Sequence, residues 1–347
     1  MKGERVEDIG LVGDQFDDLN RQFFNARHAP HVFLKHRLQG ALLMGDGGEH
    51  VQAALDAGVQ VGELRSRGDM RAGSASEDEA EQDRVHFAAL EAIVLFHHAA
   101  ETLLRLVLAL ENGAACPWLE VARLKQPGAY SGRVKELRSR LRDDATQDRL
   151  ARIFYGRRDR NSPPDNVPTE AWTTSMEGVT VLLDECCAKL DGEAPLYNSA
   201  KHGLSAVPGN TAMQLGDRDE PVLSASGPSI TLLEATTDSQ VGRKRWRQTT
   251  HWVSPDRRLA LTFVVIQQIE NLWTVARHRY LRMDGSSPLA PLPVDKIDQL
   301  LNPPLEADGP GYRITVETMG MGLLYENDTP AIKQRLEAAA RRNRKRR

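Results

Sequence analysis

The run from Val85 to Leu110 limits what this chain can become. Ala89, Ile93, Phe96, Ala100, Leu103, Val107 and Leu110 recur in alternating steps of four and three, which draws one apolar stripe along a helix. Leu90, Val94, His97, Glu101, Leu104 and Leu108 form a second stripe beside it. Two adjacent stripes make a face too broad for one neighbour, so this helix belongs inside a bundle. His97 and Glu101 interrupt the second stripe one turn apart. Burying them is costly unless they bond each other or a third group. Either they form a satisfied polar pair inside the bundle or they line a site. Glu101 and Arg105 are also spaced to pair along the helix surface.

Other stretches carry the same period. Residues 5–26 place Ile9, Phe16, Leu19 and Phe23 on one face, and weaker helices are expected over 32–45 and 48–66. Ser131 opens a helix with Val134, Leu137 and Leu141 that continues through Leu150, Ile153 and Phe154. Over 170–190 the stripe is Trp172, Met176, Val179, Leu183, Cys186 and Leu190. Ser254-Pro255-Asp256 starts a helix running to about Met283. Strands are expected at 229–237 and 245–254 with a turn between them, and shorter ones at 212–215 and 312–317. A short helix at 294–301 and a last one from Pro330 complete the pattern. The expected fold is mainly α: an antiparallel helical bundle with a small β-hairpin appendage and a long helix in the C-terminal half. The expected divisions are an N-terminal helical region (1–67), a small and acidic linker (68–83), the bundle (84–205), the hairpin plus long helix packing on the bundle (206–283), and a C-terminal extension with a basic tail (284–347).

Composition narrows the chemistry. The aromatic share is only 5%, which suits a Leu/Ala-rich helical core. A net charge of −3 provides no global field for polyanions, so any such contact must come from local clusters. Cys116, Cys186 and Cys187 make no CxxC pair, so neither a structural zinc nor a disulfide framework is expected, and Cys186 lies on an apolar stripe as core. No metal or cofactor is expected. The charged N-terminus lacks a following apolar run, and no stretch approaches roughly 18 continuous apolar residues. A cytoplasmic protein without a membrane partner is the corresponding expectation.

The densest chemistry lies in Ala194-Pro-Leu-Tyr-Asn-Ser-Ala-Lys-His-Gly203. In a helix Asn198 and His202 share one face, and Tyr197 and Lys201 share another. Pro195 suits a first turn and Gly203 the residue just past a helix end. Elsewhere Arg157, Arg158 and Arg160 cluster in a loop, placed either to meet phosphate or simply to be solvated. Arg243-Lys244-Arg245-Trp246-Arg247 interleaves cations with an aromatic ring, either to stack bases or to cover a helix. The tail Arg341–Arg347 is basic at six of seven positions.

The helix containing Ala100-Glu101-Thr-Leu-Leu-Arg105, followed by Tyr197-Asn198-Ser-Ala-Lys-His202, resembles the HEPN family of helical-bundle domains from bacterial defence, toxin–antitoxin and RNA-processing systems. That family's motif is an Arg, a polar residue that is often Asn, about three variable residues, then His. Asn198 and His202 match, and Tyr197 stands where the Arg would be. The resemblance spans about residues 82 to 205. It implies a homodimer that cleaves RNA without metal, with the motifs meeting across the dimer. His202 would then handle the proton, Asn198 would orient it or a phosphate, and Lys201 would supply charge as a point rather than a fork. Tyr197, His97 and Glu101 would line the site, and Arg157, Arg158 and Arg160 would hold RNA. The alternative is a non-enzymatic module that binds a protein partner. Metal hydrolysis through His97, His98, Glu101 and His202 fits less well, since that spacing is not the usual zinc helix.

Overall fold

The computed structural model describes residues 11, 13–27, 29–46, 59–61, 64–66, 77–125, 128–164, 167–203, 205–216, 221–237, 244–284, 289–301 and 320–325. The protein is mainly helical. It divides into two compact units, Met1–Asn198 with Pro255–Leu305, and Ser199–Ser254 with Glu306–Arg347.

In the first unit the described helices are α1 (Gly13–Phe24), α2 (Pro30–Asp46), α3 (Glu77–Leu110), α4 (Pro117–Arg123), α5 (Ala129–Arg140), α6 (Asp144–Tyr155), α7 (Thr169–Gly192), most of its neighbour α8 (Ala194–His202), α9 (Pro255–Leu281) and α10 (Val294–Leu301). β1 (Val59–Val61) and β2 (Leu64–Ser66) pair as a small antiparallel ladder, where the sequence reading expected the end of a helix over 48–66. All seven residues of the first α3 stripe are buried, and α3 packs against α2, α7 and α9. Its apolar length would suffice to cross a membrane, as would that of α9. The relevant windows are 72% and 61% buried by neighbouring helices, which accounts for their composition.

Three further features differ from the sequence reading. Residues 77–83 are helical rather than linker. The N-terminal helices belong to the bundle: Phe23 and Phe24 meet Trp273 of α9 with ring centroids 5.0 and 5.1 Å apart. The long helix α9 falls in the helical unit, while the strands before it fall in the other. Gly178 of α7 is required by close approach, since a Cβ there would lie 1.9 Å from the Leu292 carbonyl oxygen. The segment that presses on it is fixed by Asn271, which donates to the Ala290 carbonyl at 2.7 Å and accepts from the Ala290 N–H at 2.9 Å.

The second unit holds a four-stranded antiparallel sheet in the order β3 (Ala206–Gly216), β4 (Pro221–Thr237), β5 (Lys244–Trp252), β6 (Gly320–Tyr325). The predicted hairpin is therefore the centre of a larger sheet. The strand expected at 212–215 is part of a longer β3, whereas 312–317 and the helix from Pro330 lie outside the described residues. The β4–β5 register places Trp246, Gln248, Thr250 and Trp252 on one face with Ser229, Thr231 and Leu233. Trp252 is buried and donates from Nε1 to the Thr211 carbonyl at 2.8 Å, while Trp246 is exposed.

Candidate functional site

His97 is buried, but Glu101 is not its partner. Its ring stacks on Tyr197 at 4.7 Å, and its Nε2 stands 3.6 Å from Oε2 of Glu193, inside ion-pair range but too far for a hydrogen bond. Glu193 links α7 to α8. It accepts from Arg258 at 2.8 and 3.3 Å and from Lys189 at 3.1 Å. Arg258 enters from the first turn of α9, fully buried, with its guanidinium over the Phe96 ring at 5.2 Å. Burial alone would raise the Glu193 carboxyl; His97, Arg258 and Lys189 outweigh it and hold the group well below the usual carboxylate range. His97 is pushed down, first by burial and then by the charges of Arg258 and Lys189, against the pull of Glu193. A neutral imidazole beside a fully compensated carboxylate is a structural pin joining α3, α7, α8 and α9.

Glu101 instead meets Arg105 along the helix, at 2.6 Å, with Arg105 lying 4.2 Å from the centre of the Tyr130 ring. The pairing is the surface one that the spacing allowed. On α8, Tyr197 is half-buried by its stacking on His97, whereas Asn198, Lys201 and His202 are exposed on the last turns of the helix. The position that carries Arg in the HEPN motif is thus occupied by a ring committed to packing. Cys186 and Cys187 are buried, and burial raises both thiols, Cys187 to about 12, so neither is a nucleophile. Among the described residues no group of three His, Cys, Asp or Glu side chains comes together as metal ligands.

The arginines of the α6–α7 loop do separate jobs. Gly156 ends α6 with φ +66°, a conformation that suits glycine, and the Arg157 N–H then closes back on the Ala151 carbonyl at 3.2 Å. Arg160 builds the loop. Its guanidinium donates to Asp144 at 2.6 Å, its N–H to Asp148 at 3.1 Å, and its carbonyl accepts from Trp172 Nε1 at 2.5 Å. Arg157 donates to the Pro163 carbonyl at 3.1 Å. Arg158 is exposed. It lines, with Arg152, Arg157, His278 and Arg279, a cavity of about 1010 Å³ between α6, α7 and the end of α9. No carboxylate stands among the described residues lining it.

Sequence reasoning named Arg157 and Arg158 but missed Arg152, His278 and Arg279. Arg152 is one of two arginines on α6, three residues after Arg149, and nothing in the chain sets it apart. Arg277-His278-Arg279 was readable as a basic helix end, but its meeting with the α6–α7 loop depends on how α9 packs. Compared with family models, with curated proteins and with solved structures, the chain matches none.

Proposed function

We propose that this is an RNA-directed helical-bundle protein of HEPN-like kind, working in the cytoplasm as a homodimer in bacterial defence or a toxin–antitoxin pair. The observation that carries the reading is the cavity mouth, where four guanidiniums and an imidazole gather with no carboxylate among the described lining residues. Guanidiniums bind phosphate through paired N–H groups, so such a rim suits a nucleic-acid backbone even in a chain of net charge −3. Exposure of Asn198 and His202 on one helix supports a metal-independent cleavage step. In it His202 takes the proton of the ribose 2′-hydroxyl as that oxygen attacks the adjacent phosphate. The bond from phosphorus to the 5′-oxygen breaks, leaving a 2′,3′-cyclic phosphate and a 5′-hydroxyl whose proton comes from the imidazolium or water. The packed Tyr197 leaves that step without the motif's guanidinium, so slow cleavage is expected.

A gel-shift and cleavage assay on single-stranded RNA, with chelator present, tests both parts. The full chain is expected to shift RNA, and His202→Ala to keep the shift while losing cleavage. Absence of any shift overturns the reading. A second reading, a protein-binding module without catalysis, is favoured by Val207, Leu233 and Trp246, which expose apolar surface on one face of the sheet. A shift without cleavage by the unaltered chain removes the enzymatic part.

A further inference from the structure

Behind its cationic rim the cavity of the helical unit is an apolar chamber. Trp172, Val275, Leu289 and Pro291 form its walls, with Tyr155 edge-on to Trp172 at 5.1 Å. The chamber is fixed before any ligand arrives. Trp172 is buried and its indole N–H is tied to the Arg160 carbonyl, while Asn271 holds the backbone at Ala290 between Leu289 and Pro291. One polar atom in this wall lacks a partner: Arg157 Nε is buried and makes no hydrogen bond, whereas the Tyr155 hydroxyl meets the Leu292 backbone. A buried donor left over in a native fold calls for an acceptor. At the rim, no carboxylate among the described residues pairs with Arg152, Arg158 or Arg279.

We propose that this cavity holds a small amphipathic organic anion, its apolar body among Trp172, Tyr155 and Val275 and its charged head on the guanidiniums. The proposal goes beyond RNA binding at the rim. A nucleic-acid backbone would use the cations and leave the chamber idle, and inorganic phosphate would do the same. A neutral hydrophobe would leave the rim uncompensated. A volume of about 1010 Å³ lies at the upper end of the roughly 300–1,000 Å³ common for small-molecule sites, so body and head fit together.

The test titrates the full chain with anilinonaphthalene sulfonate, an anionic head on an apolar body, followed by fluorescence. Neutral phenylnaphthylamine serves as the control. One saturable sulfonate site is expected. The Arg152→Gln/Arg158→Gln double variant, which alters exposed positions and spares the core, should weaken it roughly tenfold while changing the neutral dye less than about twofold. Val275→Trp, which fills the chamber, should remove both dyes, with circular dichroism melting used to show that it folds. Competition by naphthyl phosphate or by decanoate separates an aromatic from an aliphatic natural body, and displacement by neither counts against the site. The proposal is overturned if the sulfonate shows no saturable binding, or if the charge variant leaves its affinity unchanged.

Discussion

The helical unit and the sheet unit treat polar and apolar groups in opposite ways. In the helical unit charges go inside and are answered there: Glu193 has Arg258, Lys189 and His97, and buried Glu111 takes both carboxylate contacts from Arg140 at 2.7 Å. Among the described residues, Arg152, Arg158 and Arg279 meet at one cavity without an acidic partner. The sheet pairs small hydroxyls across its strands, Thr211 with Ser229 at 2.7 Å and Thr231 with Thr250 at 2.9 Å, and leaves Val207, Leu233 and Trp246 exposed. A bundle whose helices are pinned by compensated charges can hold a fixed cavity. The sheet buries Ile230, Leu232 and Trp252, and depends little on the three apolar groups it leaves exposed.

Substitutions can break that contrast. The largest loss is expected from Arg258→Ala, which leaves Glu193 buried without its bidentate partner and should cost the helical unit about 3–5 kcal/mol in denaturant unfolding. Gly178→Ala drives a methyl into the Leu292 carbonyl and should cost about 3 kcal/mol by the same measurement. A loss under about 1 kcal/mol in either would show that the pin or the close approach is dispensable.

Acidification sharpens the contrast more gently. Burial lowers His97, His31 and His98 below 6.5 in the folded chain. Their stabilising preference for the neutral form is complete above that value and fades as pH falls from about 6.5 toward the lowered folded values. The depressed Glu193 carboxyl adds a second stage, with stability present above 4.5 and lost below it. Melting temperature should therefore fall between about pH 7 and about pH 5.5, and His97→Gln should flatten the decline. A melting temperature constant over that window would count against buried neutral histidines. The smallest effect belongs to the sheet: Leu233→Thr and Trp246→Thr should each change stability by about 0.5 kcal/mol or less.

How much of this was legible depended on whether the physics was local. The stripe from Ala89 to Leu110 predicted the central helix because helical periodicity is written in consecutive residues. Alternation likewise placed Trp246, Gln248, Thr250 and Trp252 on one face. His97 announced itself as a costly group, but its answer came from Glu193 and Arg258, far along the chain, and no spacing rule links them. Nothing in the sequence marks Gly178; only the segment at Leu292 gives it a purpose. The cavity rim was half visible: a run of loop arginines stands out, while Arg152 from α6 and Arg279 from α9 meet it only through packing.

The most direct test of that cationic rim is the salt dependence of binding to short single-stranded RNA, followed by fluorescence polarisation over about 50–200 mM salt. The predicted result is an affinity that falls steeply with salt in the unaltered chain. In Arg152→Gln/Arg158→Gln the log–log slope should be shallower by about 1.4, since each lost phosphate contact on a single strand is worth roughly 0.7. Identical slopes for the two proteins, or an affinity indifferent to salt, would contradict the assignment of that rim to a phosphate-bearing partner.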